Sequence, residues 1–286
     1  MEYIQSIQKA IDYMEDNLLE NINYEDVAKA VYMSNYHFHR IFSLVTGISA
    51  NEYIKNRRLS LAGQELSMSK SKVIDIAMKY GYDSPESFSR AFTRFHGVSP
   101  SLAKNSGVQL KSFNRLNIKI IVEGGCILKY KIVERKSFNI LAKIRKFNNL
   151  TIGEEDNQEI RDFWEENMSK GLFEKLKSIT GKENMYGVCS PISKDSDEFN
   201  YGIGMEYEGD KEIEGFTSWK VNSGLWAVFK CIGKDGQCIA NTWDKIFKEF
   251  LPSSEYVMLD DTDFEFYPGE NDEGCFCEVW IPVKKK

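Results

Sequence analysis

Arg40 and Arg90 stand fifty residues apart, and their surroundings correspond. Ser34, Phe38, Arg40, Phe42, Gly47 and Ser49 recur as Ser84, Phe88, Arg90, Phe92, Gly97 and Ser99. A planar guanidinium can clasp a phosphate, or the O6/N7 edge of a guanine, with two parallel hydrogen bonds. Each arginine also belongs to a polar stripe at helical spacing. Tyr36, His39, Arg40 and Ser43 form one i, i+3, i+4, i+7 series, and Glu86, Ser89, Arg90 and Thr93 form its counterpart. These eight residues have the chemistry to read base edges and hold phosphates, and they are the expected DNA-binding residues. His37 and His39 are two apart, so they point from different faces of a helix and cannot jointly chelate. No metal, no cofactor and no catalytic residue is expected.

Beyond residue 107 the available chemistry changes. All five tryptophans (164, 219, 226, 243 and 280) lie there, and no histidine does, which removes Ser-His and Cys-His nucleophile pairs. Aromatic walls offer apolar contact and attract cations through their faces, so a carboxylate among them would complete a site for a positive ligand. Strand alternation sets Glu265 and Tyr267 on one face of their strand, opposite Phe264 and Phe266, and makes Glu278 and Trp280 a second same-face pair. With Trp164, Trp219 and Trp226, these are the expected effector-binding residues. A Glu or Tyr could still serve as acid or base, which leaves a small-molecule hydrolase as the alternative. Gly202-Ile-Gly204 lacks the rest of a dinucleotide fingerprint, and no GxxxxGK[ST] occurs. Asp260-Asp261-Thr262-Asp263 lacks the glycine and spacing of a calcium loop and reads as a solvated turn.

The elements that must carry these residues follow from period and punctuation. Each copy of the repeat reads as helix, tight turn, helix, the helix-turn-helix pattern. Asn23 and Ser34 are expected caps in the first copy. In the second, Ser71 precedes the first helix, Gly81 stops it, and Ser84-Pro85 starts the next. Phe38, Ile41, Phe42 and Val45 should face inward, as should Phe88, Ala91, Phe92 and Phe95. Between the copies, Asn51–Leu66 predicts a spacer helix of about 16 residues, or ~24 Å, fit to set two readers in grooves about 34 Å apart. A leading helix buries Ile4, Ile7, Ile11, Met14 and Leu18. From Ile127 the period turns toward two. Strands are predicted at 127–134, 138–145, 185–192, 200–207, 215–221, 225–232, 263–267 and 275–283, with helices near 156–178 and 236–250. A polar connector, with a short strand at 117–122, links the two regions.

Charge follows the same partition. The chain has 286 residues and a net charge of −6, yet residues 34–106 carry ten Lys/Arg against five Asp/Glu. A basic block inside an acidic chain is a local field and a footprint for nucleic acid. With 42% hydrophobic and 28% charged residues the composition excludes wholesale disorder. No apolar run reaches the 18 or so residues of a membrane span. The start Met1-Glu2-Tyr3-Ile4-Gln5 lacks a secretory signal, and six cysteines form no CxxC pair. A cytoplasmic protein with reduced thiols and no membrane partner is expected.

The run Gly81-Tyr-Asp-Ser-Pro-Glu-Ser-Phe-Ser-Arg-Ala-Phe-Thr-Arg-Phe-His-Gly-Val-Ser-Pro100 resembles the signature of AraC/XylS transcription regulators, as does Tyr53-Ile-Lys-Asn-Arg-Arg-Leu59. The resemblance implies a double helix-turn-helix that binds double-stranded DNA near promoters, most often as an activator, with RNA polymerase as a further partner. Its DNA-contact positions fall on Tyr36, His39 and Arg40, and on Pro85, Glu86, Ser89 and Arg90. Pro85 departs from the polar residue often found there. Tyr130-Lys-Ile-Val-Glu-Arg-Lys-Ser-Phe138, Tyr186-Gly-Val188, Tyr201-Gly-Ile-Gly-Met-Glu206, Trp243-Asp-Lys-Ile-Phe247, Phe264-Glu-Phe-Tyr267 and Cys277-Glu-Val-Trp-Ile-Pro282 resemble the GyrI-like effector-binding domain. That resemblance implies a groove for small, often cationic and aromatic, molecules or a peptide, and its Phe-Glu-x-Tyr pattern singles out Glu265. An AraC-type reader fused to such a domain is the Rob-like arrangement. The expectation is therefore multidomain. An all-α double helix-turn-helix (1–106) and a linker (107–126) precede an α+β domain of two β-β-helix-β-β halves (127–286). Such a chain is a one-component regulator. The competing classes are a hydrolase or sequestering protein fused to a reader, and a regulator whose second domain docks another protein.

Overall fold

A computed structural model describes residues 2–69, 71–118, 128–148, 154–192, 198–269 and 274–286. The chain divides into two compact units. One holds Ile4–Met33 and Ile48–Ile121; the other joins Met1–Tyr3 and Ser34–Gly47 to Val122–Lys286. In chain order the helices of the first third are α1 (Glu2–Asp16), α2 (Tyr24–Ala30), α3 (Asn35–Thr46), α4 (Ala50–Met68), α5 (Val73–Lys79) and α6 (Pro85–His96). Of these, α3 belongs to the second unit. No helix among the described residues is long and apolar enough to cross a membrane.

Local chemistry sets the helix ends of the first unit. The Asn23 side chain accepts from the Asp26 backbone N–H while the Asp26 carboxylate accepts from the Asn23 N–H, closing a reciprocal cap on α2. Ser84 caps α6, Pro85 fills its first turn, and Gly97 ends it at φ 82°. Ahead of α5 the capping residue is Lys72, which makes no side-chain cap bond, so Ser71 does not serve the purpose its type suggests. Ile7, Ile11 and Met14 of the leading helix are buried, as is Leu18 in the turn that follows its end at Asp16, while the side chain of Ile4 lies outside the described set. The spacer α4 runs 19 residues, ~28 Å, and its Leu59, Ala62 and Leu66 pack with Ile76, Ala77, Phe88 and Phe92. Gly63 in its middle is a close-approach site. A Cβ there would lie 2.6 Å from the ring of His96, whose Nε2 meets the Leu59 carbonyl at 2.9 Å.

The described part of the connector is tied to this unit. The backbone N–H groups of Lys111, Phe113 and Ile118 donate to His96 Nδ1 (3.2 Å), Ser60 Oγ (3.0 Å) and Gln8 Oε1 (2.9 Å). Arg57 holds the Phe113 carbonyl at 2.6 Å and is ion-paired with Glu15 at 2.7 Å. Residues 117 and 118 form no strand, and the rest of the short strand expected at 117–122 falls outside the described residues.

The second unit is one antiparallel sheet with helices on one face. Its elements are β1 (Tyr130–Arg135), β2 (Phe138–Asn148), α7 (Glu154–Ser169), α8 (Leu172–Thr180), β3 (Met185–Pro191), β4 (Glu198–Glu206), β5 (Thr217–Val221), β6 (Gly224–Ile232), α9 (Gln237–Lys245), β7 (Tyr256–Met258), β8 (Asp263–Tyr267) and β9 (Cys275–Lys285). The order across the sheet is β1-β6-β9-β8-β3-β4-β2-β5, with β7 beside β9. Only residues 136–137 separate β1 from β2, yet five strands lie between them, so the sheet must curl upon itself. Val133, Phe138, Trp226, Phe264 and Trp280 fill the inside of that curl. The outer face carries Leu141, Phe199, Tyr201 and Met205, covered by Phe163, Leu172 and Leu176 of α7 and α8. The single helix expected at 156–178 is broken by Gly171 at φ 74°. The expected second helix continues past α9 as a π-helical turn, Ile246–Phe250, and ends at Ser253. The three-residue β7 is too short to leave a periodic signal.

Candidate effector site and DNA-reading faces

β8 carries the site. Alternation turns Asp263, Glu265 and Tyr267 toward the helix-covered face and Phe264 and Phe266 toward the inside of the curl. Glu265 accepts a hydrogen bond from the Tyr201 hydroxyl at 2.9 Å, and that hydroxyl accepts one from Trp164 Nε1 at 2.9 Å. The rings of Trp164 and Tyr267 lie 5.0 Å apart. A glycine makes the room: Gly187 pairs with Glu265 across the sheet, and a Cβ there would collide with the Tyr201 hydroxyl and the Glu265 carboxylate. Burial, with the charge of Asp263 adding to it, pushes the Glu265 carboxyl up to about 7. The Tyr201 hydrogen bond and the charge of Arg40 offset this only in part.

Asp263 is 1% exposed, and its partner is Arg40 of α3. Arg40 Nη1 donates to Asp263 Oδ2 at 2.9 Å and to the Tyr36 hydroxyl at 2.9 Å. The guanidinium carbon sits 3.8 Å from the centre of the Trp243 ring, a cation stacked on the best of the aromatic faces. The Tyr36 hydroxyl lies 2.8 Å from Cys189 Sγ, and His37 Nδ1 lies 2.7 Å from Asp260 Oδ1. Burial alone would lower the pKa of Arg40, but Asp263 above all holds it charged, and the net displacement is upward. Asp263 is raised by burial against the pull of Arg40 and His37. Asp260 to Asp263 is thus not the solvated turn the sequence suggests, because two of its carboxylates anchor side chains of α3.

The sheet separates the expected effector residues into two groups. Glu265, Tyr267 and Trp164 come together. Glu278 and Trp280 pair across β8 with Phe266 and Phe264, so they face the inside of the curl, as do Trp226 and Trp219. There Glu278 accepts from Trp280 Nε1 at 2.9 Å and from Lys131 Nζ at 3.0 Å, and the Phe264 and Trp280 rings stack at 5.4 Å. Arg135 covers this aromatic cluster, 3.6 Å above Phe138. Asp263 and Trp243 belong to the Glu265 site and were not among the expected residues. Asp263 was legible, standing two positions before Glu265 on one strand. Trp243, Tyr201 and Cys189 reach the site only through tertiary packing.

The two expected reading faces differ as well. On α6, Glu86, Arg90 and Thr93 are exposed and Ser89 is half-buried, so the second stripe meets solvent as expected. On α3 the inward residues Phe38, Ile41 and Phe42 are buried, but so are Tyr36 (2% exposed) and His39 (0%). The Arg40 side chain is 15% exposed and Ser43 is half-buried. The first stripe is therefore covered by protein rather than open to solvent. The Ser34 cap and Gly47 stop that frame α3 are present as expected. Two open concavities, of about 270 and 620 Å³, lie along α4 rather than at Glu265; the larger is lined by Lys55, Arg94 and Lys111. Among the described residues no cluster of three or more His, Cys, Asp or Glu could hold a metal ion.

Comparison with known proteins follows the same division. Residues 131–283 match the family described as "Integron-associated effector binding protein", and residues 27–106 match a helix-turn-helix domain. The HTH-type transcriptional regulator YbfP of Bacillus subtilis is 38% identical over 100 residues, 35% of this chain and 34% of YbfP, so the chain spans about a third of that relative. The transcriptional activator AarP of Providencia stuartii is 36% identical over 100 residues, 35% of this chain and 74% of AarP. The regulatory protein SoxS of Escherichia coli is 36% identical over 101 residues, 35% of this chain and 94% of SoxS. Among solved structures, SAV2435 bound to tetraphenylphosphonium is 18% identical with a TM-score of 0.48, covering 55% of this chain and 94% of its own. An integron cassette protein of Vibrio cholerae is 20% identical with a TM-score of 0.43, covering 54% and 95%.

Proposed function

The chain belongs to the integron-associated effector binding protein family over residues 131–283 and carries an AraC-type helix-turn-helix reader over 27–106, and from that premise we propose that it is a one-component transcription activator sensing a cationic aromatic molecule. The observation that carries the reading is the pair of carboxylates, Asp263 and Glu265, on one strand face beneath Trp164, Tyr267 and Trp243. Asp263 is met by Arg40, whereas Glu265 is met by the Tyr201 hydroxyl, and a buried acid is costly to ionise without a cation beside it. Aromatic walls select one with an apolar body. The exposed stripe of α6 and the basic balance of residues 34–106 support operator binding, with Arg90 its sharpest contact. RNA polymerase is the natural partner of an activator that binds near a promoter.

We read the second domain as binding its ligand rather than turning it over, since it lacks histidine and the family it matches is described as effector binding. One feature favours the hydrolase as a second reading: a carboxyl near 7 beside a tyrosine hydroxyl has the range of a general acid or base. The test is calorimetric titration of the full chain with tetraphenylphosphonium and with neutral triphenylphosphine oxide, alongside footprinting on the DNA upstream of its own coding region. Preference for the cation and a footprint support the proposal. No preference, or cleavage of an aromatic ester at the same site, overturns it.

A further inference from the structure

A cation already stands at the proposed effector site, and it comes from the DNA reader. Arg40 fills the place between the Asp263 carboxylate and the Trp243 ring, with Tyr36 beside it against Cys189. This is how a flat organic cation would be held: one face on an indole, one edge on a carboxylate. The same residue heads the first DNA-reading stripe and matches Arg90 of the second. A guanidinium bound to Asp263 and Trp243 cannot also reach a base or a phosphate.

We propose that Arg40 is an internal competitor of the effector: a ligand carrying a flat, delocalised cation on an aromatic body takes its place on Asp263 and Trp243, and α3 is thereby released to read DNA. The inference rests on the effector-site reading above and adds to it the ligand's head group and the direction of coupling. A guanidinium, amidinium or aryl-pyridinium head matches the place, whereas a compact ammonium would leave the Trp243 face poorly covered.

The covered helix shows signs of a reversible seat. Its docked face is polar, and the side-chain atoms Asn35 Nδ2, His37 Nε2 and Ser43 Oγ are buried with no hydrogen-bond partner among the described residues. A permanent interface would satisfy such groups or replace them with apolar ones. A surface built for phosphates and base edges has them to spare, and covering it leaves them unmet. By contrast the stripe on α6 is open. The ligand-free protein should therefore read one groove, and the liganded protein two.

The test has two arms on the full chain. In the first, N-benzylguanidinium and its neutral counterpart N-benzylurea are titrated into wild type and Arg40→Met. The expected result is a gain of tenfold or more for the guanidinium in the variant, with the urea changed less than twofold. Equal guanidinium affinity for the two proteins overturns the competition but leaves the effector site standing. No guanidinium binding to either overturns the effector site itself. The second arm needs no ligand. Asp263→Asn should lengthen the hydroxyl-radical footprint on the upstream DNA from one groove to two successive grooves and tighten binding about tenfold. A footprint unchanged in length, from a variant whose circular dichroism matches wild type, overturns the release of α3.

Discussion

Replacing Glu265 with Gln tests whether this carboxylate is the counter-ion of the ligand. The amide keeps the size of the side chain and can still accept from Tyr201, so the packing around position 265 is kept and only the charge is lost. At about 4 Å and an effective dielectric near 20, one pair of unit charges is worth about 4 kcal/mol before desolvation is subtracted. Asp263 remains as a second acid, so the net loss should be about 1–3 kcal/mol, roughly a 10- to 100-fold weaker cation. A neutral ligand of the same shape should lose less than about twofold. The titration of Glu265 supplies an internal control. Its carboxyl is raised to about 7, so it is largely protonated at pH 6 and largely ionised at pH 8. Wild type at pH 6 should bind the cation nearly as weakly as the variant does, and the two should diverge by pH 8. Stability moves the other way. Between about 4.5 and 7 the unfolded chain ionises at this position while the folded one holds its proton, so wild type loses up to about 3 kcal/mol as pH rises through that window. The Gln variant lacks this loss, and its melting temperature at pH 8 should be the higher. Calorimetry at both pH values and thermal melts decide it. Equal losses for cation and neutral ligand, or a pH-independent wild type, would refute the counter-ion role.

Arg90→Ala should cost about 1–3 kcal/mol of specific DNA binding with an unchanged melting temperature, because Arg90 is exposed. Arg40→Ala, by contrast, strips the buried Asp263 of its partner and should lower stability by about 3–5 kcal/mol in thermal melts. Binding should also fall steeply with salt as phosphate contacts release counterions, and a flat salt profile would refute the reader assignment. Gly187→Ala should break the Tyr201–Glu265 hydrogen bond and weaken the cation in calorimetry while sparing DNA binding by α6. Limited digestion should spare 108–118, which is tied to α1, α4 and α6, and Arg57→Ala should make that stretch cleavable, as mass spectrometry of the fragments would show.

Much of this protein could be read from residue order because the signals were local or periodic. Ser34, Ser84, Gly47 and Gly97 cap and stop their helices through backbone groups a few residues away, so the repeat betrayed both readers. Strand alternation located Glu265 and Tyr267 on one face, and it also held Asp263, had the acidic run before β8 not looked like a turn. What the sequence could not decide was which face each strand would show to which layer. Glu278 and Trp280 alternate as well as Glu265 and Tyr267 do, yet β9 enters the sheet in a register that turns them inward. Nor could it decide that α3 would be covered. Its stripe and that of α6 are equally polar, and nothing within fifty residues of Arg40 announces Asp263 or Trp243. That contact spans 223 residues, and a pairing of this range is fixed by the packing of whole layers rather than by any pattern a neighbouring stretch can carry.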